Sequence, residues 1–174
     1  MTNAPHPPTR FTAADAKRAH EEWGCNCGPA ALAAICGLTL DEVRLLMGDF
    51  EAKGYTNPTL MAESLLRARV SWYRRQVRQW PTYGLARIQW TGPWTKPGVP
   101  PRVAYRHTHW VGAMRSLQRT GAIGVFDINM IANGTGWAAL EDWQSVLVPW
   151  LLGECEPKAD GGWFITHTIE VERP

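Results

Sequence analysis

Apolar and polar positions change rhythm once along this chain, near residue 70. Before that point the spacing is helical. A polar, alanine-rich run after Thr12, within Phe11 to Glu22, predicts a first helix that delivers the chain to Trp23-Gly24. The apolar run from Pro29 to Ile35 predicts a second, ended by Gly37, the residue type that takes a left-handed conformation at least cost. Thr39 and Glu42 form a capping box, each side chain able to satisfy the other's backbone donor, and open a third helix through Met47. Asn57-Pro58 starts another over LMAESLLRAR.

After Arg69 the pattern becomes strand-like. VSWYRRQV and LARIQW read as strands, separated by Trp80-Pro81 and followed by a Pro/Gly-rich loop from Thr91 to Pro101. HTHWVGAMRS and AIGVFDIN are two more, joined by a turn near Arg119 to Gly121, and WFITHTIEVE is the last. Between them NGTGW, with Gly134, Gly136 and Trp137, reads as a turn, and a helix is predicted from about Leu140 to Leu152, bent or broken by Pro149. Helices first and mostly antiparallel strands later define an α+β domain. Residues 1–10, with three prolines and a histidine, read as a flexible N-terminal arm, and residues 11–174 as a single domain long enough to bury a core.

Composition changes this picture at few points. The ten tryptophans demand either a thick aromatic core or an exposed recognition surface. A net charge of +2 gives no argument for a nucleic-acid partner. The basic run Arg67 to Arg78, with aromatics between, could track a phosphate backbone, but it reads first as a solvated strand edge. No stretch approaches the ~20 apolar residues that span a bilayer, and MTNAPHPPTRF lacks a basic-then-apolar signal pattern. No membrane insertion and a cytoplasmic location are therefore expected. The four cysteines are then free thiols or metal ligands rather than disulfides.

Chemistry concentrates in WGCNCGPAALAAICG, Trp23 to Gly37. Cys27 falls at or just before a helix start, where unpaired N–H groups and the helix dipole favour a thiolate. Cys36, inside the apolar run, reads as packing. A cysteine nucleophile needs a base and the base needs an orienting group, and His109 and Asp127, on the two strands of one probable hairpin, can supply both. Asn129 shares Asp127's parity and competes for the orienting role. A different chemistry uses the same residues: Cys25 and Cys27 with His107 and His109 have the donor types of a Cys₂His₂ zinc site. His107 is otherwise a residue near the site or facing substrate, or a partly exposed strand histidine. His167 reads as structural, and Trp90 and Trp94 flank a loop that could border a cleft.

The run Asn26-Cys27-Gly28-Pro29-Ala30-Ala31-Leu32, then His109-Trp110-Val111 and Val125-Phe126-Asp127, resembles the papain-like cysteine peptidases. It is most similar to the bacteriocin-processing peptidase domains of double-glycine-cleaving ABC transporters and their free-standing relatives. The resemblance implies a papain-like fold, Cys27 as nucleophile, His109 as general base and acid, and Asp127 as orienter. It implies hydrolysis of a peptide or isopeptide bond in a peptide or protein substrate through a thioester, with no cofactor. His107 and Trp110, on either side of His109, are the candidate substrate-binding residues. One position departs from the family. Six residues before the nucleophile, where the family has an oxyanion-binding Gln, stands Glu21, whose ionised carboxylate would repel an oxyanion. A protonated Glu21, the Trp23 indole N–H or the Cys27 backbone N–H would have to replace that donor. A second reading follows from this departure: a papain-like binding or structural module without full activity, of a kind a bacteriophage could encode.

Overall fold

A computed structural model describes residues 7–116 and 121–173. The first six residues of the expected arm lie outside the described residues; of the remainder, Thr9 donates to the Thr135 carbonyl and Arg10 to the Gly37 carbonyl and Glu42. The helical half opens with α1 (Ala13–Trp23), capped by a Thr12/Asp15 box and closed on left-handed Gly24. Next comes α2 (Cys27–Cys36), which starts two residues ahead of Pro29 because Asn26 supplies the N-cap, and ends on Gly37 at φ 63°. Pro29 therefore falls in the first turn, where a missing N–H breaks no intrahelical bond. The Thr39/Glu42 box opens α3 (Leu40–Leu46), a short α4 (Phe50–Lys53) follows without a sequence forecast, and Asn57 caps α5 (Pro58–Arg67).

Six strands among the described residues form one antiparallel sheet: β1 (Trp72–Arg75), β2 (Tyr83–Trp90), β3 (Thr108–Arg115), β4 (Ile123–Phe126), β5 (Trp137–Ala139) and β6 (Trp163–Val171), in the order β1-β6-β2-β3-β4-β5. The protein is thus α+β. The Pro/Gly-rich connection carries a 3₁₀ turn (Pro93–Thr95) and α6 (Pro101–Ala104). The turn expected near Arg119 lies outside the described residues, apart from Gly121. The last helix does not break at Pro149. α7 (Leu140–Asp142) runs through a π-helical segment (Trp143–Leu147) into α8 (Val148–Cys155), and the wider turn accommodates a ring that would otherwise meet the carbonyl four residues back. The basic run ends as β1, an edge strand, with Arg75 paired to Glu170 at 2.9 Å. Among the described residues no helix is long and apolar enough to cross a membrane.

Alternation along the two central strands divides the core in two. Tyr83, Leu85, Trp110 and Met114 pack with the alanine-rich α2 on one face. Gly112 permits this close approach, since a Cβ there would sit 3.1 Å from Ile35. On the other face Ala86, Ile88, Trp90, Val111 and Val125 pack with Trp143, Leu147 and Leu151 of the last helix. Most of the tryptophans are accounted for by these cores. Fully buried Trp143 has the rings of Trp80, Trp90 and Trp163 at 5.8, 6.3 and 5.4 Å, while Trp150 is left exposed.

Candidate active site

The elements converge on the N-terminus of α2. Cys27 is its first residue, partly exposed, with its backbone N–H donating to Asn26 Oδ1 at 2.7 Å. Gly28 follows because nothing larger fits: a Cβ there would lie 2.1 Å from Thr56 Oγ1. His109, near the start of β3, bonds Cys27 by its side chain, and the Trp110 backbone N–H also donates to the sulfur. The other end of the imidazole is held by Asp127, with Nε2 donating to Oδ2 at 2.7 Å, which leaves Nδ1 for the thiol.

Asp127 is fully buried and fully used. Oδ2 also accepts from the Trp143 indole N–H at 2.9 Å, while Oδ1 accepts from the backbone N–H and side-chain amide of Asn129 at 3.0 and 2.9 Å. Its strand was expected to continue to Asn129. It stops at Phe126 because Asp127 caps a 3₁₀ helix, Ile128–Asn133. Asn129 consequently holds Asp127 rather than the imidazole, and parity along a strand no longer relates the two. Trp90 stacks on His109 with centroids 5.9 Å apart, so the aromatic core fixes both the ring and its carboxylate.

The electrostatics follow from this contact chain. Burial pushes the Cys27 thiol up, but the charge and hydrogen bond of His109 and the Trp110 N–H outweigh it, leaving the thiol below its ordinary value. For His109 burial lowers the pKa, yet the charges of Asp127 and Cys27 and their hydrogen bonds raise it well above 6.5. Burial raises Asp127, and the charge and hydrogen bond of His109 with the Trp143 and Asn129 donors bring it below 3.8. All three shifts favour a thiolate, an imidazolium and a carboxylate in line. Cys25 and Cys36, which have only burial or a neighbouring thiolate acting on them, are pushed up to about 12.

Cys27 opens onto a cleft of about 540 Å³, whose lining includes Asn26, Gly28, Thr56, Arg87, Tyr105 and Trp110. Trp110 is anchored there by its indole N–H donating to the Thr56 carbonyl at 2.8 Å. Other sequence candidates fall elsewhere. Glu21 is not at the site: α1 buries Ala16, Ala19 and Trp23, which puts Glu21 on the opposite, solvent side near Lys17 at 3.9 Å. No carboxylate from that position repels an oxyanion. Trp23 is buried with its indole N–H unpartnered, against Phe50 and outside the lining of the cleft. His107 precedes β3 and turns away, stacking on Trp94 at 3.6 Å and bonding Glu156 Oε2 through Nδ1 at 2.7 Å.

The zinc alternative loses its geometry for the same reason. With His107 committed to Glu156 and Cys25 buried under α1, the four proposed ligands do not meet, and among the described residues no group of three or more His, Cys, Asp or Glu is arranged to hold a metal ion. Sequence reasoning missed Arg87, Thr56, Tyr105 and Asn26 around the thiol, and Trp143 behind Asp127. Only Arg87 carried a local signal, as a cation inside an otherwise uncharged strand, YGLARIQW. Comparison with protein-family models, curated proteins and solved structures finds no significant match to this chain.

Proposed function

We propose that this chain is a papain-like thiol hydrolase that cleaves a peptide or isopeptide bond. The observation carrying the reading is the unbroken chain Cys27–His109–Asp127, at a cleft, in which the thiol lies below its ordinary pKa and the imidazole above. The Cys27 thiolate attacks the substrate carbonyl, forming the S–C bond. His109 gives its proton to the leaving nitrogen as the C–N bond breaks. A thioester remains. His109, now neutral, takes a proton from water, whose oxygen attacks the thioester and releases the acid, returning the thiolate and the imidazolium. Asp127 orients the ring and stabilises its charged form throughout. The donors nearest the oxyanion are the Cys27 backbone N–H, which now donates to Asn26 Oδ1, and the side-chain amide of Asn26, which lines the same cleft.

The rival reading, a module that binds without cleaving, drew its support from a carboxylate at the oxyanion position, and Glu21 is exposed on the far side of α1. The deciding experiment presents the full chain with a mixed peptide library and examines the protein by intact mass. An acyl adduct on wild-type protein that is absent from Cys27→Ala, with cleaved products accumulating, is expected. Binding of peptides without adduct or product overturns the hydrolase.

A further inference from the structure

The floor of the cleft holds a positive charge that, among the described residues, has no carboxylate partner and only the Cys27 sulfur and the Tyr105 phenol acting on it. Arg87 stands in the middle of β2, on the α2 side of the sheet, opposite Trp110 of β3 and beside a bulge in the pairing with β6. Such bulges re-aim side chains next to functional sites. The residue is 5% exposed. One Nη donates to Thr108 Oγ1 at 3.0 Å, the Tyr105 ring lies 5.7 Å from the guanidinium carbon, and Nε is buried with no partner. Among the described residues no acidic side chain pairs with it. Its neighbour across β6, His167, is itself disfavoured as a cation by burial and by Arg74, Arg87 and Arg78, with a pKa of about 4. The lining of the cleft contains Arg102 and Arg106 and no Asp or Glu.

A buried guanidinium without a counter-charge is costly, and a fold keeps one where something else supplies the charge. The Cys27 thiolate is already matched by His109. What fits a planar fork of five N–H donors, of which one is committed to Thr108, is a planar carboxylate. We propose that the cleft selects substrates bearing a carboxylate, which Arg87 receives while Cys27 acts on the amide beside it. This rests on the hydrolase reading for the amide, but not for the anion. The carboxylate is either a peptide's terminal α-carboxylate or an Asp or Glu side chain.

Iodoacetate and iodoacetamide test it, since both alkylate a thiolate with loss of iodide and differ only in charge. Iodoacetate is expected to modify Cys27 about 10-fold faster, the ratio one charge-assisted hydrogen bond supplies, with saturation at rising concentration. Arg87→Gln is expected to remove the preference and Arg87→Lys to keep part of it. The same preference in Arg87→Gln, or none in the wild type, overturns the proposal while leaving a reactive thiolate in place. Slow reaction of Cys27 with both reagents counts against the hydrolase instead, and the anion site is then judged by thermal midpoint. In Cys27→Ser, N-acetyl-Ala-Ala or N-acetyl-Glu-Ala-amide should raise the midpoint and N-acetyl-Gln-Ala-amide should not. Response to the first alone identifies a terminal carboxylate, to the second alone a side-chain carboxylate. Response to neither overturns the proposal. Should Arg87→Gln not fold, protection of wild-type Cys27 from iodoacetamide by N-acetyl-Ala-Ala or N-acetyl-Glu-Ala-amide, and not by N-acetyl-Gln-Ala-amide, supports it, and equal protection by all three overturns it.

Discussion

Two histidines, two residues apart, each bond a carboxylate oxygen at 2.7 Å: His109 with Asp127 and His107 with Glu156. Each also lies against a tryptophan, Trp90 or Trp94. Distance and residue type do not separate them. What separates them is the far side of the ring. His109 passes its second nitrogen to a thiol at a helix start, and its carboxylate is buried with four donors upon it. His107 has no thiol, its partner Glu156 is partly exposed, and the pair clips the loop before β3 to the end of α8. A histidine–carboxylate contact is therefore a positioning device of general use, and thiol chemistry of the kind proposed needs a cysteine on the far side of the ring as well.

The largest expected effect breaks the member of the pair that faces the thiol. With His109→Ala the thiol loses the charge and hydrogen bond that oppose its burial, and its pKa should return to the ordinary 9.0 or above. At pH 6 the thiolate of such a group is about one part in 10³, so alkylation of Cys27 by iodoacetamide should slow by roughly 10²-fold or more. Unchanged rate and unchanged selectivity for Cys27 over Cys25 and Cys36 would refute the ion pair. Asp127→Asn is the next step down. The amide removes the charge that raises the imidazole pKa and can force the wrong tautomer, so the same rate should fall by about 10 to 10²-fold while the protein stays folded. Mass spectrometry of the alkylated peptides over time reads both.

How much of this contrast was legible in the chain differs by residue. Cys27, His109 and Asp127 each announce themselves locally, through a Gly-Pro helix start and two apolar strand ends, and the β3–β4 pairing does the rest. The placing of Glu21 was legible too, because the period of Ala16, Ala19 and Trp23 already turns residue 21 outward. His107 was not, since its partner stands 49 residues away on another element and only packing brings them together. Asn129 was misplaced by a strand extended past its end, where a capping aspartate gives no apolar cue. The α+β division followed from the change of period near residue 70. The π segment before Pro149 and the short β5 depend on contacts with the sheet that no local pattern encodes.

A third test reads the pair through stability. His109, with its pKa raised, contributes stability that is fully present below 6.5 and lost as pH climbs through its folded value. Cys27, with its pKa lowered, contributes stability present above 9.0 and lost as pH falls through its own folded value. Between 6.5 and 9.0 the unfolded chain has given up the histidine proton and kept the thiol proton, and both shifts push the folded chain the other way, so the two slopes oppose each other. Denaturant unfolding of the wild type should then vary less with pH in this window than either group alone would make it. In Cys27→Ala only the histidine slope remains, and stability should decline with pH above 6.5 by up to about 1.4 kcal/mol per unit. Parallel profiles for the two proteins would mean that the proton does not sit on His109.

The smallest effect on reactivity belongs to the other histidine, and that is why it matters. His107→Ala removes the bond to Glu156 and the stacking on Trp94, a loss of about 1–2 kcal/mol in unfolding free energy. The loop it secures is also held by Gln89, whose side-chain amide donates to the Ala104 and His107 carbonyls at 2.9 and 2.8 Å, and neither bond needs the imidazole. The start of β3 should therefore stay in place, and with it His109. Alkylation of Cys27 at pH 6 should change by no more than about 2-fold, a difference under 0.5 kcal/mol. A drop as deep as that of His109→Ala would show that the two imidazoles act as one unit, and the separation drawn between a clip and a base would have to be given up.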